Sequence, residues 1–247
     1  MTPILELQDL SFRYEGGLPG EKVLDALTFA VAPGERVGLV GCNGVGKSTL
    51  LKILVGILPM QAGALTVGGL PMERKNLAEI RRKVGYVFQD SDSQLFMPTV
   101  RADVAFAAEN YGYPPEEVAA RTRRALTAVH MEHCADRPVY RLSGGQKKLA
   151  SIAGILTLDP ALILMDEPSA ALDPRNRRAL IDILNALPCA KLIASHDLDF
   201  IYDTCDRVLL LHHGQLAADG PAQKILRDKA LLERCELELP LRWQRDF

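Results

Sequence analysis

The sequence predicts an α/β fold: a core on a parallel sheet, an antiparallel β part before it, and a helical insert within it. Three observations predict this. The glycine-rich run Gly41-Cys42-Asn43-Gly44-Val45-Gly46-Lys47-Ser48 stands between an apolar strand pattern at Arg36–Val40 and an apolar helix pattern, the context that a phosphate-binding P-loop requires. From residue 161 the pattern runs strand, helix, strand, and such alternation builds a parallel sheet with both faces covered. Between these two regions, residues from about 99 to about 158 read as helix.

Taken in order, Ile4–Leu7 and Leu10–Tyr14 alternate as two short strands, Gly16-Gly17 and Pro19-Gly20 break the run, and Leu27–Ala32 resumes it. Arg36–Val40 is a buried strand, and Lys47–Ile57 a helix stopped before Pro59. Residues 63–70, with Gly68-Gly69, fit a hairpin. Tyr86, Val87 and Phe88 form a β-favouring run that meets Gln89, a polar segment Asp90–Ser93, and the apolar cluster Leu95, Phe96, Met97. Pro114-Pro115 marks a helix start; Ala161–Met165, Asn176–Leu187 and Lys191–Ala194 are strand, helix and strand; Val208–Leu211 and Gln215–Ala218 flank Gly214 as a last hairpin, before a helical tail over 221–236. The expected layout is one domain: core and β subdomain in 1–89 and 159–220, helical subdomain in 90–158, tail in 221–247.

A length of 247 residues gives a sizeable core. A net charge of −2 supplies no polyanion-binding surface and argues against a nucleic-acid partner. The clusters Arg81-Arg82-Lys83, Arg121/Arg123/Arg124 and Arg175/Arg177/Arg178 read as solvated helix faces. Five cysteines, an odd number without CxxC spacing, fit a reducing cytosol without a disulfide framework. No basic-then-apolar leader opens the chain, and no apolar run approaches the roughly 18–20 residues of a membrane span. Membrane work would therefore fall to another chain. His130, His133 and Cys134 share helical spacing, and His212-His213 are adjacent, but neither group supplies a full ligand set for a transition metal.

The chemistry lies in three elements. In the P-loop, backbone N–H groups close around phosphate, Lys47 reaches the β/γ-phosphates and Ser48 holds Mg²⁺. Leu162–Met165 is a buried strand ending in Asp166 and Glu167, at the sheet end where α/β folds bind ligands. Asp166 is placed for Mg²⁺, directly or through water, and Glu167 to polarise an attacking water. Leu142-Ser143-Gly144-Gly145-Gln146 precedes a helix with Leu149, Ile152, Ala153 and Leu156 on one face. Ser143 is a natural N-cap. Two glycines behind a cap weaken a helix start unless the backbone must approach something closely, such as a second phosphate.

With these motifs in this order, the sequence resembles the ABC-type ATPases over nearly its whole length; LSGGQ at 142–146 is similar to that family's signature. The resemblance implies a P-loop NTPase (RecA-like) core that binds ATP and Mg²⁺ through Gly41 to Thr49 and hydrolyses ATP. It implies that Tyr14 stacks on adenine, that Gln89 is the Q-loop residue reaching Mg²⁺ and the attacking water, that Asp173 belongs to the D-loop, and that His196 is the switch histidine. It implies a head-to-tail homodimer in which Ser143, Gly144, Gly145 and Gln146 face the neighbour's γ-phosphate. Gln89-x-x-x-x-Gln94-Leu95-Phe96 is further similar to the ATPase components of energy-coupling-factor uptake transporters, most closely the cobalt/nickel type. That implies a peripheral place on the cytoplasmic membrane face, beside a substrate-specific membrane component. Gln94 is expected to begin a short helix, and Leu95 and Phe96 to face a groove for a membrane-embedded T component; Ser91 stands where that family often has proline. Two alternatives stand beside this reading: an importer ATPase for a vitamin or amino acid, and a soluble ABC ATPase acting on nucleic acid or ribosomes.

Overall fold

The computed structural model describes residues 2–16 and 22–244; Gly17, Pro19 and Gly20, expected to break the strand run, lie outside them. β1 (Leu5–Phe12) carries Leu5, Leu7, Leu10 and Phe12 into the core, each at most 4% exposed. The period slips once, at Asp9, which takes a left-handed φ of 51° while the register jumps between Leu7 and Leu10. One bulge thus joins the two expected strands into one and returns Leu10 to the inner face. β2 (Leu24–Val31), β4 (Ala62–Val67) and β5 (Leu70–Pro71) complete an antiparallel sheet in the order β2-β1-β4-β5, with Gly68-Gly69 turning the β4–β5 hairpin.

The second sheet contains β3 (Arg36–Val40), β6 (Val84–Val87), β7 (Leu162–Asp166), β8 (Ala190–Ala194), β9 (Arg207–His212) and β10 (Gln215–Pro221). Among the described residues its order is β10-β9-β3-β8-β7-β6, parallel except for the β9–β10 hairpin. β6, β7 and β8 are buried at every position, as strands covered on both faces must be. α1 (Lys47–Leu54) follows the P-loop and ends earlier than the sequence predicts. Gly56 takes φ 70°, which turns the Ile57 and Leu58 N–H groups back onto the Lys52 carbonyl.

α2 (Leu77–Lys83) leads into β6; α3 (Val100–Asn110), α4 (Pro115–Ala128) and α5 (Gly144–Leu156) then intervene before β7, the neighbour of β6 in the sheet. α5 lies directly on β6: a Cβ at Gly85 would stand 2.8 Å from Ile155 Cδ1. α6 (Pro174–Ala186) and α7 (Leu198–Thr204) follow β7 and β8, and α8 (Ala222–Ile225) and α9 (Lys229–Arg234) form the tail.

The stretch after β6 departs from expectation. Ser91–Ser93 forms a single 3₁₀ turn, and Gln94 ends that turn instead of beginning a helix. Leu95 is only 8% exposed and packs in the core with Val100, Val104 and Ile152, so it is not a groove residue. Phe96 is 63% exposed and rests edge-on against Phe106 of α3. The buried Asp103 carboxylate accepts from the Phe96 and Met97 N–H groups at 2.8 and 2.7 Å and fixes this divergence. The basic clusters are not uniformly solvated faces either. Arg121 donates to Glu117, Asp159 and the Thr157 carbonyl and covers the Tyr113 ring, Arg177 pairs with Asp197, and Arg81 donates to the carbonyls of Val55 and Gly56.

Candidate active site

The P-loop turns between β3 and α1. Gly46 has φ 107°, and a Cβ there would meet Leu24 Cδ2 at 2.7 Å; at Gly41 a Cβ would meet the Leu211 carbonyl oxygen at 2.5 Å. Only glycine fits both places. Lys47 is 7% exposed and its ammonium donates to the Gly41 and Cys42 carbonyls at 2.7 and 3.1 Å, curling back over the loop it follows. Burial pushes this lysine below its ordinary pKa, against the pull of Glu167, Cys42 and Asp166. Cys42 itself turns its side chain toward the core beneath the antiparallel sheet.

Ser48, in the first turn of α1, donates its hydroxyl to Asp166 Oδ1 at 2.9 Å, so the P-loop helix and the end of β7 meet. Burial raises the Asp166 carboxyl, and the Ser48 hydrogen bond opposes it. Beyond it the chain turns sharply: Glu167 has φ 46° and is 7% exposed. Its carboxylate accepts from the Ser195 hydroxyl at 3.0 Å and the His196 backbone N–H at 3.0 Å, and His196 Nδ1 lies 2.9 Å from Oε2. β7 and β8 are neighbours, which brings Glu167 to residues 195–196. Tyr14 is half exposed at the cleft edge, its hydroxyl 2.9 Å from Thr49 Oγ1 and its ring edge-on to Phe12. Tyr14, Asn43, Lys47, Gln89, Glu167 and His196 line one cleft of about 510 Å³.

Ser143 to Gln146 do not line that cleft. They open α5 with reciprocal bonds: Ser143 Oγ accepts from the Gln146 N–H at 3.3 Å, and Gln146 Oε1 accepts from the Ser143 N–H at 3.1 Å. The two glycines differ in cause. A Cβ at Gly145 would strike Asn176 of α6 at 2.7 Å, a contact within the chain, whereas one at Gly144 would meet nothing within 4 Å. Asp173 caps α6, accepting from the Asn176 N–H at 2.9 Å, and that bond holds its carboxyl below the usual range.

Three residues near the cleft carried no signal in sequence reasoning. Ser195 is fully buried and visible only as the serine before His196. The buried Tyr86 hydroxyl has no hydrogen-bond partner among the described residues, and burial and the Asp166 charge push it well above its ordinary pKa. Lys148 is 3% exposed, and burial pushes its ammonium down to about 8.

The ABC transporter family pattern matches residues 24–170. A Streptomyces coelicolor protein described as an ABC transporter ATP-binding protein is 47% identical over 96% of this chain and 90% of its own length. The energy-coupling factor transporter ATP-binding protein EcfA2 of Methanospirillum hungatei is 39% identical over 98% of this chain, which spans 61% of that longer protein. The structure of cbiO1 from Clostridium perfringens, part of the ABC transporter complex cbiONQ, superposes with a TM-score of 0.83 at 33% identity, over 95% of this chain and 94% of the other. The P-loop, the two carboxylates at the end of β7 and the LSGGQ helix stand in a chain that matches this family over more than half of its length, and the chain belongs to the ATP-binding, ATP-hydrolysing subunits of ABC transporters.

Proposed function

We propose that this ATPase is the motor of an energy-coupling-factor uptake transporter for cobalt or nickel ions. It works as a head-to-tail homodimer, peripheral on the cytoplasmic membrane face, with a membrane-embedded T component and a substrate-specific component. The observation that carries the catalytic part is that Ser48, Glu167 and His196 line one cleft, with Asp166 hydrogen-bonded to Ser48. The uptake class rests on the relatedness to EcfA2 and cbiO1, and the metal cargo on the Gln89–Phe96 motif. Among the described residues no helix is long and apolar enough to cross a membrane, so the T component would supply the membrane path.

The Ser48 hydroxyl and Asp166 carboxylate converge at 2.9 Å with the Gln89 side chain at the same cleft, a hard-oxygen donor set that suits Mg²⁺. When bound, Mg²⁺ would neutralise charge on the phosphate oxygens. Lys47 and the P-loop N–H groups hold the phosphates, and Tyr14 offers its ring to the base. Glu167 orients and polarises the attacking water. His196 donates its backbone N–H to that carboxylate, and its Nδ1 stands 2.9 Å away. Asp173, at the head of α6, belongs to the dimer face.

The docking groove, about 210 Å³, lies beside Arg82, Gln94, Phe96, Phe106 and Ile155. Phe96, not the buried Leu95, is its exposed anchor. The test is Phe96→Ala on one preparation. A buried phenylalanine would cost ~3–5 kcal/mol of stability; an exposed anchor instead costs more than ~1–2 kcal/mol of partner binding. The expected result is an unchanged melting temperature and basal ATPase rate with loss of assembly or of cobalt uptake. A large fall in melting temperature with assembly intact would defeat the docking assignment.

A further inference from the structure

The segment from Phe88 to Gln94 is tied to α5, the helix that starts at the LSGGQ motif. Lys148 carries most of this hold. Its side chain is buried, and its ammonium donates to the Phe88 and Gln89 carbonyl oxygens, both at 2.8 Å. Those carbonyls belong to the peptide planes on either side of the Gln89 Cα. Because each peptide is planar, fixing both planes fixes the φ and ψ of Gln89, and with them the direction in which its side chain leaves the backbone. Gln94 adds a second strut: its Oε1 accepts from the Phe88 N–H and its Nε2 donates to the Ser151 carbonyl, each at 3.2 Å. Lys147 pairs with Asp92 at 2.5 Å on the exposed side. Lys148 lies five residues after Ser143, about 7.5 Å along the helix. A displacement at the signature end of α5 is therefore passed to the Gln89 backbone over a rigid turn and a half.

We propose that Lys148 is the positioning residue of Gln89, and that it joins the nucleotide-sensing loop to the signature helix so that the two move as one body. The proposal rests on the reading of Gln89 as a residue that acts on the attacking water. Lys148 touches no nucleotide in this role; it sets the angle from which Gln89 enters the cleft. Small displacements of a group at the reacting centre cost up to about 10²-fold in rate.

The experiment is a double-mutant cycle of Lys148→Met and Gln89→Ala, with ATPase kcat, KM for ATP and melting temperature measured on each protein. Methionine keeps the apolar stem and removes the three donors. Lys148→Met is expected to lower kcat about 10–100-fold with KM within about 2-fold, and to add less than about 2-fold loss in the Gln89→Ala background. Lys148→Gln, which retains a donor, should recover part of the rate, and it stands in should the methionine variant not fold. Full additivity of the two substitutions would overturn the proposal, as would a normal kcat in folded Lys148→Met. So would failure of both Lys148 variants to fold, which would make the residue a stabilising one only. A silent Gln89→Ala would overturn the reading of Gln89 itself and the proposal with it, and is distinguished by that single variant.

Discussion

At the scale of single residues, Glu167 shows how much chemistry one backbone angle sets. A left-handed φ of 46° is costly for a residue with a Cβ. It turns the carboxylate out of the strand line and onto Ser195 and His196, where the Ser195 hydroxyl and the His196 N–H bond it and His196 Nδ1 lies 2.9 Å away. In the proposed role of general base a carboxylate can take a proton from water, and an amide of the same shape cannot. Glu167→Gln keeps the shape of the side chain but replaces one acceptor oxygen with an NH2, and it should slow hydrolysis by ~10²–10⁴, with ATP binding retained. Single-turnover ATPase assays beside a fluorescent-nucleotide titration read both quantities. Turnover near the unmodified rate would remove Glu167 from the role of base.

At the scale of elements, α5 and α6 meet at a contact the LSGGQ pattern conceals. Gly145 lies under Asn176, whose amide donates to Asp173 at 2.5 Å and whose backbone N–H is the capping donor of α6. The Asn176 side chain is short and tied down, so it cannot swing away cheaply from an added methyl. Gly145→Ala should therefore lose about 1–3 kcal/mol of stability through overpacking, measured as a lower urea midpoint with an unchanged slope. An unchanged midpoint would mean that α6 yields freely there. Much at this scale was readable in advance: helix starts at Ser143 and Pro115, and strands at Arg36–Val40 and Leu162–Met165, follow from caps and apolar runs. The bulge at Asp9 was not, because two alternating runs out of phase look the same whether a turn or one extra residue separates them.

At the scale of the whole molecule, the signature motif and the P-loop cleft of one chain are separate places. Gly144 is exposed, and a Cβ there would touch nothing within 4 Å. Nothing inside the chain thus excludes a side chain at this position, whereas a second copy packed head to tail, as proposed, would. Gly144→Val should leave the melting temperature and nucleotide binding of the single chain unchanged. If the chain works as the proposed head-to-tail dimer, Glu167→Gln should accumulate an ATP-bound dimer and Gly144→Val in that background should abolish it, as read by light scattering during size-exclusion chromatography. Dimer formation by the double variant would place the second phosphate contact elsewhere.

The sequence by itself determined the family, the P-loop, the two carboxylates at the end of β7 and the helix cap at Ser143, because each is local: a fixed spacing along the chain puts donors, glycines or charges within one turn of one another. Only the tertiary structure decided matters that depend on distant partners. Leu95 and Phe96 are adjacent, and the sequence offers no ground for separating them. Leu95 goes inward and Phe96 outward because Asp103 of α3 takes both N–H groups that follow Leu95. Gln94 ends a turn because its amide is drawn to Phe88 and Ser151. Ser195 reaches Glu167 because β7 and β8 pair. Lys148, one more basic residue in a polar helix start, became the tie to the Gln89 loop once α5 lay flat against β6, where a buried ammonium must find carbonyl oxygens.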